Sequence, residues 1–96
     1  MQKIGLFGLG TGLDLYFSLV PKFELAKVSF IVDNSANIEK ERTYENIPII
    51  CIEQLERYDF DCIIITSRHF IQIYNQLILN GVPGEQIKVF PILINF

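Results

Sequence analysis

Short apolar runs alternate with helix-spaced stretches along the chain, and that alternation restricts the possible folds more than any other feature. KIGLF (3–7) is followed by glycine and suits a parallel strand buried on both faces. AKVSFIV (26–32) is rich in β-branched and aromatic residues and ends at the turn-forming Asp33-Asn34-Ser35. DCIIIT (61–66) is the most strand-like run and is expected at the sheet centre. A short edge strand over 48–50, where an edge tolerates Pro48, and a closing strand over 86–92 complete the set. Between them Leu13, Phe17 and Val20, with Tyr16 beside Phe17, recur at helical spacing until Pro21 stops the helix. Ile52, Leu55 and Tyr58 line a short helix. A further helix is expected over 67–80, with Phe70, Ile71, Tyr74, Leu77 and Ile78 on one side and Gly81 as its stop. The polar stretch 36–46 reads as a surface loop with at most a helical turn.

Right-handed crossovers convert this order into a parallel sheet with helices on both faces. The expected fold is therefore α/β: a small Rossmann-like parallel sheet of about five strands in the order 3-2-1-4-5. With 96 residues there is room for one core, so residues 1–96 form a single domain, which can also serve as a module of a larger protein. In such a sheet the ligand crevice lies at the carboxyl ends of the first and fourth strands. Gly8 to Gly12, Asp33 and the turn Thr66-Ser67-Arg68-His69 would point into it.

Composition narrows the function classes. The net charge of −3 is scattered in sign and gives no basic stripe for a nucleic-acid backbone, so no nucleic acid is expected as a partner. No apolar run approaches the ~20 residues of a membrane span. The apolar start is broken by glycines and lacks a small-residue cleavage site, which makes the cytoplasm the default location. Cys51 and Cys62 lack CxxC spacing, and one histidine leaves no zinc set, so no metal site is expected. Cys62 lies in an apolar run and reads as a buried, inert thiol.

The glycine turn GLGTG (8–12) carries the main functional signal. Gly8 and Gly10 fit the first two positions of the dinucleotide fingerprint G-x-G-x-x-G, the third falls on Leu13, and Gly12 stands one residue early. Asp33 falls where an acidic residue would hydrogen-bond a ribose hydroxyl. Against a phosphate, Thr11-Gly12-Leu13-Asp14 has the form of a capping box with aspartate in place of glutamate, and Asp14 would repel an anion at the helix start. Two readings stand: a phosphate-binding loop, or a tight strand-to-helix turn. For Asp33-Asn34-Ser35 the second reading is an Asx turn.

The GxGxG spacing, the acidic end of strand two and FDCII (60–64) resemble the cofactor loop and a later motif of S-adenosylmethionine-dependent methyltransferases, although Leu6 stands at the family's leading acidic position. A broader resemblance covers nearly the whole chain. IGLFGLG, FIVDNS, IPIICIEQLERYDFDCIIIT and IQIYNQLILNGVPGEQIKVF are similar to the Rossmann-like modules of bacterial surface-polysaccharide proteins. These include the nucleotide-binding parts of nucleotide-sugar dehydratases, sugar acyltransferases and related transferases. The resemblance implies a nucleotide or nucleotide-sugar (NAD(P)-like) ligand, with the chemistry residing in another domain. Carried over, Gly8, Gly10, Thr11 and Gly12 would face phosphates, Asp33 and Asn34 the ribose, and Thr66 and Ser67 the far side of the crevice.

Ser67-Arg68-His69 joins a hydroxyl, a cation and an imidazole at a strand end, so Arg68 could clamp a phosphate. Alternatively Ser67 caps the helix and its neighbours face water. No nucleophile or second carboxylate completes a catalytic set, so no catalytic residue is expected. The uncharged VFPILINF (89–96) is an association hazard at a sheet edge, which implies a homo-oligomer or a larger parent protein.

Overall fold

The computed structural model describes residues 2–90. Among them β1 (Ile4–Phe7), β2 (Val28–Val32), β3 (Arg42–Tyr44), β4 (Ile47–Ile50), β5 (Cys62–Ile65) and β6 (Ile87–Val89) form one sheet. Its order is β3-β4-β2-β1-β5-β6. The connections carry α1 (Thr11–Leu19), α2 (Lys22–Leu25), α3 (Phe70–Leu79) and two 3-10 turns, Ile52–Arg57 and Gly84–Gln86. The class is α/β, but the sheet is mixed: β3 runs antiparallel to β4, and the other pairings are parallel.

Six strands rather than five correct the sequence expectation: the order is extended by β3 at the edge beside β4, while the five expected strands keep their expected neighbours. The added strand β3 lies in the stretch expected to be loop. Glu45 and Asn46 both have positive φ, 50° and 66°, as the tightest hairpin turns require, and they return the chain onto β4. Arg42 and Thr43 are exposed, so β3 forms by its backbone ladder and carries no alternating apolar pattern. Pro48 consequently stands between two neighbouring strands, not at an edge. It is accommodated because β2 pairs only with Ile49 and Ile50, leaving the missing Pro48 amide outside the parallel ladder. The expected strand over 86–92 runs from Ile87 to Val89, and residues 91–96 lie outside the described residues.

Two apolar layers sandwich the sheet. On one face Leu13 and Tyr16 of α1 pack with Ile4, Leu6, Val28, Ile31 and Cys62. On the other, Ile73 and Leu77 of α3 and Ile52 and Leu55 of the 3-10 turn pack with Phe7, Phe30, Val32, Ile63 and Ile65. A register shift sets Ile4 opposite Val28 but Gly5 opposite Phe30, which leaves Ser29 as an extra residue and turns Val28 and Phe30 to opposite layers. Gly5 makes room for the Phe30 ring, into which a Cβ at that position would project. The face of α3 also differs from expectation. Ile73 and Leu77 are buried, whereas Ile71 and Ile78 are 65% and 41% exposed, because the helix is rotated to set Phe70, Ile73 and Leu77 against the sheet. No helix among the described residues is long and apolar enough to cross a membrane.

Candidate functional site

The carboxyl ends of β1 and β5 are tied together at the glycine turn. Gly8 has φ 123°, and a Cβ there would lie 3.0 Å from the Ser67 Cβ, so this position needs both glycine's backbone freedom and its lack of a side chain. The Thr66 hydroxyl, fully buried, donates to the carbonyl oxygens of Gly8 (2.9 Å) and Phe7 (3.2 Å). Thr66 is thus a clamp within the sheet as well as a wall of the crevice. Gly10 has φ 125° and precedes α1 as its cap residue, with open space where a Cβ would stand. Its backbone, rather than crowding, demands glycine.

Two adjoining clefts flank this turn. The first, about 190 Å³, is lined by Thr11, Gly12, Thr66, Ser67, Arg68 and His69 among others. The second, about 320 Å³, is lined by Gly8, Asp33, Asn34, Ser67, His69 and Gln76 among others. Leu9, Ser67 and His69 belong to both. Eight of the nine residues singled out in the sequence therefore converge here, with Gly10 shaping the turn without lining either cleft. Gln72 and Gln76 were missed. Their i,i+4 spacing puts both on one side of α3, and that was the available signal.

The capping box expected at Thr11–Asp14 does not form. No side chain caps α1, and the Asp14 carboxylate instead accepts the Tyr44 hydroxyl at 2.7 Å. A partner presented by β3 outcompetes the local box. That bond, followed by partial burial and the charges of Asp14 and Glu45, pushes the Tyr44 phenol up to about 12. Ser67 does not cap α3 either: the cap residue is His69, whose backbone N–H donates to the Ser67 hydroxyl at 3.1 Å. Arg68 and His69 are exposed on the rim of the first cleft.

Asp33 is engaged on both oxygens. Oδ1 accepts the Leu9 N–H at 2.9 Å, and Oδ2 accepts the Ser35 N–H at 2.9 Å and the Ser35 hydroxyl. Burial alone would raise this carboxyl. The Ser35 and Leu9 hydrogen bonds and the charge of Arg42 outweigh it and hold the group below its ordinary value. Beside it Asn34 and Gln76 form a reciprocal amide pair, with N–H···O distances of 3.1 and 2.9 Å, joining the end of β2 to α3. Leu6, at the position where methyltransferases carry an acid, is fully buried under α1. Among the described residues no three histidine, cysteine, aspartate or glutamate side chains are grouped to hold a metal ion.

No curated protein matches the chain. A family model, that of the C2185-like N-terminal domain, matches residues 1–88. With nearly the whole chain matched, the protein belongs to the C2185-like N-terminal family.

Proposed function

We propose that the chain is a binding module for a nucleotide or nucleotide-sugar, of the NAD(P)-like class used in sugar and surface-polysaccharide biosynthesis, without a complete catalytic set of its own. The observation that carries this reading is the placement of the first cleft. It opens between β1 and β5, where the connections leave the sheet in opposite directions, and it is lined by the first turn of α1 together with Arg68. The amides of that turn have no side-chain cap, and with the positive helix end and the guanidinium they favour a phosphate; Asp14, the acid of the same turn, opposes it, but its carboxylate is bonded to the Tyr44 hydroxyl and does not line the cleft. The second cleft extends the site from the phosphate position toward β2 and α3. Association with a second copy or a larger parent through residues 89–96 is part of the same proposal.

A thermal-shift screen against NAD, NADP, nucleotide-sugars, coenzyme A and S-adenosylmethionine tests it. A ligand at 100 times its Kd stabilises by about 2.7 kcal/mol, a displacement of many degrees for a domain of this size. The expected hit carries a diphosphate, and Arg68→Glu removes the shift measured against that variant's own ligand-free melting temperature. A shift with S-adenosylmethionine alone, or none with any phosphate-bearing ligand, overturns the reading.

A further inference from the structure

We propose that the second cleft is a subsite for a neutral, planar heteroaromatic ring, read along its edge by the Asn34–Gln76 amide pair. The inference rests on the nucleotide reading and assigns its ring-binding half. The cleft, about 320 Å³, falls at the lower end of the roughly 300–1,000 Å³ common for small-ligand pockets. Its polar groups are not spread evenly. Its apolar side is formed by half-buried Leu9 over Phe7 and Ile73, which are buried in the core layer beneath α3, and Gly8 contributes no side chain. Asn34, Gln72 and Gln76 supply uncharged amides. An apolar side beside a hydrogen-bonding one matches a flat ring with a polar edge better than a sugar, whose hydroxyls point in all directions.

The valence of the two amides adds to this. Each primary amide has two N–H donors and two acceptor lone pairs. The reciprocal pair uses one donor and one lone pair from each side chain, leaving one of each on Asn34 and on Gln76. Together they offer alternating donors and acceptors to a ring that carries both. The Asp33 carboxylate on the same wall disfavours a phosphate in this cleft, which orders the ligand: anionic group toward Arg68, ring toward Gln76.

Titrations of isotopically labelled protein with adenosine, uridine and inorganic pyrophosphate, followed by nuclear magnetic resonance, test the assignment. At least one nucleoside is expected to shift the side-chain NH₂ signals of Asn34 and Gln76. Gln76→Leu, and independently Asn34→Leu, should weaken nucleoside binding about tenfold, the scale of one to two hydrogen bonds, with pyrophosphate affinity unchanged. Asn34 is exposed and Gln76 half-buried, so both variants keep the core intact. Pyrophosphate binding with no nucleoside response at these amides, or nucleoside binding unaltered in both variants, overturns the subsite and leaves the nucleotide reading standing. Absence of binding by pyrophosphate and both nucleosides overturns the two together.

Discussion

At Asp33 one carboxylate holds the Leu9 amide of the glycine turn and the amide and hydroxyl of Ser35. The local part of this arrangement was legible, because aspartate followed two residues later by serine is an Asx-turn pattern. The Leu9 bond was not, since it spans 24 residues and depends on β1 lying beside β2. A consequence for stability follows. A carboxyl whose folded value lies below the unfolded value of about 3.9 contributes fully above that pH. As pH falls the unfolded chain takes up the proton first, and the contribution is lost as pH passes down through the folded value. Denaturant unfolding of wild type and Asp33→Asn should therefore show a stability gap at about pH 6 that narrows toward about pH 3. A gap that stays constant over this range would rule out the ionised carboxylate as its source.

Among the elements, the β3–β4 hairpin shows how a strand can escape a reading based on apolar pattern. Its ladder is short, two of its three residues are exposed, and its turn is Glu45-Asn46 rather than the asparagine-glycine pair that usually announces such a hairpin. It nevertheless sets Tyr44 against the Phe17 ring, with centroids 5.0 Å apart, and within reach of Asp14. Glu45 pays for the turn with a left-handed backbone, which costs a residue with a Cβ roughly 1–2 kcal/mol and costs asparagine less. Glu45→Asn should accordingly raise the melting temperature by several degrees, given about 4–8 °C per kcal/mol for a domain of this size. An unchanged or lowered melting temperature in scanning calorimetry would show that Glu45 is not strained.

For the molecule as a whole, α3 carries no charged residue from Phe70 to Leu79, and Ile71, Tyr74, Ile78 and Leu79 are exposed. Together with the uncharged residues 89–96, this supports the proposal that the chain associates with a second copy or a parent protein. The wild-type chain is expected to scatter light as a dimer or larger at high micromolar concentration, and Ile92→Lys or Ile94→Lys should shift it toward monomer. A strictly monomeric wild type sinks association between copies. The layered α/β plan was readable along the chain because strand and helix periods are properties of near neighbours: KIGLF, AKVSFIV, DCIIIT and the spacing of Leu13, Phe17 and Val20 needed no distant partner. The side chains that shape the clefts were not readable in that way. Asp14 turns to Tyr44 across 30 residues, and Asn34 pairs with Gln76 across 42. The buried side of α3 and the neighbours of Pro48 were likewise set by what packs against them. Each of these choices is a competition between a local partner and a remote one, and remote partners become available only when the sheet has assembled.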